Sequence, residues 1–135
     1  MSPEVQALFD AATTAMGRAY APYSRFPVGA AIRSTSGAIY AGCNVENAAY
    51  PQGWCAETSA IAAMVSAGAR AIAEVLVISM SEGLSTCCGG CRQKLREFAP
   101  LDTKIHTCGP EGVRQVFTLD ELLPLSFGPE NLEGF

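Results

Sequence analysis

From Ala71 to Met80 the chain reads AIAEVLVISM, with Glu74 its only charged residue. A strand with one face in water alternates apolar and polar residues. This stretch does not, so it reads as a strand covered on both faces. Two coverings require a layer above and a layer below. Helical spacing supplies them. From Ser2 to about Ala19, the residues Val5, Leu8, Phe9, Ala12 and Met16 recur at helical intervals, with Ser2 placed as N-cap and Pro3 at the first helical position. The alanine-rich stretch from about Cys55 to Gly68 carries Ile61, Met64 and Val65 and ends on glycine, which predicts a second helix. A third runs from about Gly89 to Phe98 and stops before Pro100.

The other strands come in pairs. VGAAIRS and AIYAGCNVE flank the turn TSG and read as a hairpin. APYSRFP before them and NAAYPQGW after them read as loops. KIHTC and VRQVF flank GPEG, and a gap of four residues is too short for a parallel crossover, so these two pair antiparallel. A short helix, TLDELL, precedes a proline-containing tail. The expected fold is α/β in three α-β-α layers: a five-stranded mixed sheet with helices on both faces and its last two strands antiparallel. There is no repeat, low-complexity tract or linker, and 135 residues fit one domain spanning 1–135.

The net charge is −4. Binding to a polynucleotide draws on basic residues that neutralise phosphates, and this chain has no such footprint. DNA and RNA are therefore not expected partners; a free nucleoside or base is compatible. The N-terminal stretch MSPEVQALFDAATTAMGRAY has no apolar core of a signal peptide, and AIAEVLVISM is too short to cross a bilayer. The expectation is a soluble, cytoplasmic protein without a membrane partner. With 49% hydrophobic residues, it fills one core and leaves apolar surface that an oligomer can cover.

Six cysteines in a reducing compartment point to metal or catalysis rather than to disulfides. Two places set cysteine at the start of a predicted helix: Cys55 in CAE, and Cys88 with Cys91 in CGGC. Residues three apart share one side of a helical turn, so Cys88 and Cys91 can converge on one ion. Helix N-termini favour thiolates through their free N–H groups and partial positive charge. Two such termini brought together offer three sulfurs, one ligand short of tetrahedral zinc. A structural site fills that place with protein; a catalytic site leaves it to water. Cys43, His106 and Cys108 fall in predicted strands without chelate spacing, which favours water. Glu57 shares a helix face with Ile61 and Met64, toward the core. A buried carboxylate there needs a partner or a task, and proton transfer is one. On these residues alone, a CxxC redox pair and a closed zinc module remain open.

CAE and CGGC, roughly thirty residues apart, match the zinc deaminase pattern of Cys-x-Glu followed by Cys-x-x-Cys. Together with APYSRFPVGAAI, GCNVENAAYP, CGGCRQ and LLPLSFGPENL they span nearly the whole chain. The sequence resembles the small, homotetrameric cytidine deaminases. That resemblance implies one zinc ion per subunit on Cys55, Cys88 and Cys91, and Glu57 as proton shuttle. It implies hydrolysis of cytidine and 2'-deoxycytidine to uridine and 2'-deoxyuridine with release of ammonia, a step of pyrimidine salvage. Asn44 and Glu46 correspond to the family's ribose-binding pair, and Phe26 to an aromatic packed on the pyrimidine. Ala56 corresponds to a backbone N–H that meets the base carbonyl. Phe127 and Tyr50 correspond to residues reaching a neighbouring subunit's pocket, so that active sites are shared between subunits. A related nucleoside or a nucleoside antibiotic is the alternative substrate. Trp54 reads as packing.

Three positions depart from the family's pattern. Thr58 stands where arginine is common, Cys87 where proline is, and Gly90 where alanine is. Three thiolates and one Zn²⁺ sum to −1, so without that arginine the helix N-termini and Arg92 are the expected sources of compensation. Cys87 is a conceivable competitor for the metal, although adjacent residues rarely face one ion.

Overall fold

In the computed structural model, which describes residues 1–133, the apolar run is the middle strand of a five-stranded sheet. The elements in chain order are α1 (Pro3–Met16), β1 (Val28–Ser34), β2 (Ile39–Cys43), α2 (Ala56–Ser66), β3 (Ile72–Ser79), α3 (Gly89–Phe98), β4 (Lys104–Gly109), β5 (Gly112–Thr118) and α4 (Leu119–Leu122). Single 3-10 turns occupy Tyr50–Gln52 and Pro129–Leu132. The strand order is β2-β1-β3-β4-β5. β1 pairs antiparallel with both β2 and β3, β3 pairs parallel with β4, and β4 pairs antiparallel with β5. The single parallel pair needs a crossover, and the segment containing α3 provides it.

β3 is covered twice, as its composition requires. Leu76 and Ile78 pack with Ala31 against Leu8 and Ala12 of α1. Val75 and Val77 pack on the other face, with Ala60 and Met64 of α2 and Leu95 of α3. Fully burying each such Leu, Ile, Val or Met side chain contributes about 1.5–3 kcal/mol before entropy is counted. Glycine sets how closely the helices approach. A Cβ on Gly29 would stand 2.0 Å from the Ala12 carbonyl oxygen of α1, and one on Gly42 would stand 2.5 Å from the Ala60 nitrogen of α2.

Two boundaries differ from the sequence reading by three residues. Helix α1 starts as expected, with the Ser2 hydroxyl accepting from the Val5 N–H at 3.2 Å, but it ends at Met16 rather than near Ala19. The N–H groups of Arg18 and Ala19 bond three residues back, to Ala15 and Met16, and the tightened turn leaves the helix. β2 ends at Cys43 rather than Glu46. Beyond it the Asn44 side chain takes over the ladder: its Oδ1 accepts from the Val28 N–H at 2.9 Å.

Candidate metal and nucleoside site

Helices α2 and α3 lie on the same face of the sheet and start side by side. Cys55 is the N-cap of α2 and Cys88 the N-cap of α3, both with extended backbone. The Cys55 and Cys88 sulfurs are 3.7 Å apart, and the sulfurs of Cys55, Cys88 and Cys91 all lie within 4.8 Å of one another. Cys88 Sγ accepts the Cys91 N–H at 3.4 Å, an orphan donor of the first helical turn. The arrangement anticipated from CAE and CGGC is therefore present.

No fourth protein ligand completes this group among the described residues. Strand alternation explains why. Cys43 is paired opposite Gly29, and Cys108 opposite Ile78, so both share the α1 face. His106 is on that face too, with Nε2 2.5 Å from the Glu74 carboxylate. All three are separated from the sulfur trio by the sheet. Cys87 is buried on the site's own side but stands outside the trio. Its thiol neighbours the Glu57 carboxylate; burial, and then that negative charge, push its pKa well up.

The donor set suits a dication. Burial raises the thiol of Cys55, and hydrogen bonding to Cys91 only partly opposes it. Burial also pushes the Cys91 thiol far up, and the Glu57 charge adds to this. Cys88 alone is lowered: burial opposes ionisation, but the Cys91 N–H and the neighbouring sulfurs outweigh it. Three sulfurs and the buried Glu57 crowd one corner as potential anions. Cys55, Cys88 and Cys91 would hold a Zn²⁺ as thiolates, and its charge would offset that repulsion. Arg92, expected as a source of compensation, is committed elsewhere. Its guanidinium donates at 2.7 Å to the Cys87 carbonyl, the Leu122 carbonyl and the Thr86 hydroxyl.

Cys55, Ala56, Glu57 and Cys88 line a cavity of about 430 Å³ together with Phe26, Val28, Asn44, Glu46 and Val77. That volume lies within the range of small-molecule sites. Ala56 is the first residue of α2, so its N–H is one that the helix cannot satisfy. Asn44 spans the strand start: besides accepting from Val28, its Nδ2 donates to the Phe26 carbonyl at 2.9 Å. Glu46 Oε1 accepts the N–H groups of Tyr23 and Ser24, each at 3.0 Å, and the Ser24 hydroxyl donates to Oε2. These bonds, the Ser24 hydroxyl first, hold the Glu46 carboxyl below its ordinary pKa.

Ser24, Ser85 and Thr86 also line the cavity and were not singled out from the sequence. Ser24 lies in the APYSRFP stretch, which reads as loop; nothing in the spacing marks Ser85 or Thr86. Tyr50 is not in this cavity but in the adjoining cleft, tilted against Tyr23 with ring centres 5.8 Å apart. Phe127 reaches neither and is half exposed, its carbonyl accepting from Gln93 of α3 at 2.8 Å. The buried Arg96 anchors the same tail segment, donating to Ser126 at 2.9 Å and pairing with Glu130. Trp54 sits at the edge of the site, beside Cys55 in the chain. It is half exposed, and its backbone bridges Val45.

Residues 2–107 match the family model described as the cytidine and deoxycytidylate deaminase zinc-binding region. A cytidine deaminase of Sporosarcina psychrophila is 39% identical over 129 residues, which cover 96% of this chain and 95% of that protein. One from Halalkalibacterium halodurans is 39% identical over 127 residues, 94% of this chain and 96% of its own. The crystal structure of cytidine deaminase from Burkholderia pseudomallei superposes with a TM-score of 0.86 at 37% identity, covering 94% of this chain and all of that one. No helix among the described residues is long and apolar enough to cross a membrane.

Proposed function

Since the chain belongs to the cytidine and deoxycytidylate deaminase family, we propose that it is a zinc-dependent hydrolase converting cytidine and 2'-deoxycytidine to the uridine nucleosides and ammonia. The observation that carries this reading is the buried Glu57 carboxylate sharing one cavity with Cys55 and Cys88. Zinc, held by Cys55, Cys88 and Cys91, supplies a Lewis acid and lowers the pKa of water enough to give a nucleophile at neutral pH.

The chain's own residues do the rest. Glu57 takes a proton from the attacking water and delivers it to N3 of the pyrimidine, which makes C4 electrophilic. It then carries a second proton, from the hydroxyl gained at C4, to the amine leaving C4, while the first proton stays on N3. Water and cytidine enter; uridine and ammonia leave. The Ala56 N–H donates to the base carbonyl oxygen, and Phe26 packs against the ring. Asn44 keeps one N–H and one oxygen lone pair beyond its backbone bonds, and Glu46 retains acceptor capacity beyond its three donors. These free sites suit ribose hydroxyls. The Asn44 and Glu46 hydrogen bonds to the 23–28 segment also hold Phe26 at the cavity wall.

The exposed side chains of Tyr50, Leu125 and Phe127 support a homotetramer in which Phe127 and Tyr50 of one subunit complete a neighbour's cavity. Metal analysis with ammonia release from cytidine, deoxycytidine and cytosine tests the assignment. The expected result is one zinc per chain and turnover of both nucleosides in preference to the free base. Preference for cytosine would remove the ribose role of Asn44 and Glu46. Light scattering tests the assembly, and a fully active monomer would refute shared sites.

A further inference from the structure

We propose that Thr58 and Lys94 form a relay that offsets the charge on the Cys91 sulfur and slows the loss of zinc; this rests on the zinc reading above. Thr58 lies on α2, while Lys94 and Cys91 lie one turn apart on α3. The Thr58 Oγ1 is 3.6 Å from Cys91 Sγ, and the Lys94 Nζ is 3.1 Å from the same Oγ1. The direction of both bonds follows from the groups involved. An ammonium only donates, so Thr58 Oγ1 accepts from Lys94. The one hydroxyl hydrogen is left for the sulfur. Thr58 is therefore oriented as a donor to Cys91, as a thiolate needs.

The placement meets a specific deficit. Three thiolates and a dication leave the cluster with a net charge of −1, and Cys91 is its fully buried member. Uncompensated negative charge is costly there. Cys55 and Cys88 occupy the N-cap positions, at the positive ends of α2 and α3. Cys91 stands inside the first turn of α3, and Thr58 reaches it from the facing helix. The relay also ties α2 to α3 beside the ligands, so that Cys55 stays in register with Cys88 and Cys91. Lys94 is exposed, so solvent and salt screen its charge. Thr58 is half buried, and its hydrogen bond is not screened in the same way.

Zinc release separates these contributions without reference to turnover. Zinc-loaded protein is mixed with excess 4-(2-pyridylazo)resorcinol and the coloured complex is followed over time. Thr58→Val, which keeps the shape and removes the hydroxyl, is expected to release zinc about 10-fold faster, at the lower end of the effect of outer partners on metal sites. Thr58→Ser is expected to stay close to wild type. Lys94→Met should release zinc about two- to threefold faster at low ionic strength, and the difference should vanish near 1 M salt, where the Debye length is about 3 Å. Circular dichroism of each metal-free variant checks that it folds. Release from Thr58→Val at the wild-type rate overturns the relay, as does Thr58→Ser behaving like Thr58→Val. Wild-type protein that binds no zinc overturns the zinc reading itself.

Discussion

Replacing Gly42 by alanine tests how the sheet fixes the site. A Cβ at this position would stand 2.5 Å from the Ala60 nitrogen, 2.7 Å from Ser59 Cβ and 2.8 Å from the Ala56 carbonyl oxygen, where ordinary contact begins at 3.4 Å. Two of the three atoms are backbone of α2, so no rotamer change relieves the overlap. The helix must move off the sheet by roughly 1 Å, and overpacking of this kind costs about 1–3 kcal/mol. Taking about 2 kcal/mol, and about 3–4 °C per kcal/mol for a chain of this size, Tm falls by about 6–8 °C. The functional effect should exceed what that loss of stability implies. Cys55 and Glu57 ride on α2, whereas Cys88 and Cys91 ride on α3. Moving one helix against the other displaces the carboxylate and one ligand by the same ångström, which can cost about 100-fold in kcat. The assay is a circular-dichroism melt of the zinc-loaded protein together with the absorbance change of cytidine turnover. Gly83→Ala is the control, because a Cβ there meets nothing within 4 Å. A Gly42→Ala protein that melts within about 1 °C of wild type and keeps its kcat would refute the close-packing argument.

Other substitutions probe neighbouring parts of the account. Cys87→Pro should keep one zinc per chain and its turnover, since Cys87 stands outside the sulfur trio; loss of metal, read by elemental analysis, would make Cys87 a ligand. Gly90→Ala in α3 adds a methyl that meets nothing within 4 Å. It should stabilise by about 0.5–1 kcal/mol and raise Tm by about 2–4 °C. Glu46 has a pKa below its ordinary value because Ser24 and the 23–24 backbone donate to it. Those bonds therefore contribute stability above the unfolded glutamate pKa and lose it as pH falls through the lower, folded-state value. Melting of Glu46→Gln should change less with pH across that window than melting of wild type; equal slopes would place the acid sensitivity elsewhere.

The sulfur trio and the sheet were legible because each rests on local signals. Cys55 and Cys88 lie beside helix starts that alanine content and spacing already mark, and AIAEVLVISM announces a doubly covered strand. Strand order was not legible: pairing β1 with β3 joins residues about forty-five positions apart, such as Ala31 and Leu76, that nothing local links. The end of β2 was misplaced for a related reason. Val45 has strand character, but the Asn44 side chain satisfies Val28 where a backbone group was expected. Arg92 was the natural candidate for compensating the thiolates by position alone. Its reach to Leu122, thirty residues on, depends on where α4 docks. Thr58 and Lys94 meet only because α2 and α3 pack side by side, so neither residue type announced the contact. Trp54 reads as packing from its place beside Cys55, and its half exposure depends on how the 44–54 loop runs, with Trp54 bridged to Val45.

In the proposed mechanism Glu57 moves protons beside a zinc held by Cys55, Cys88 and Cys91. The most direct test measures zinc content and ammonia release from cytidine for wild type and Glu57→Gln in parallel. Both proteins should hold one zinc per chain, and the variant should lose turnover by about 100-fold to 10,000-fold, the range of general acid–base catalysis. Full turnover in a zinc-loaded Glu57→Gln protein would contradict the account.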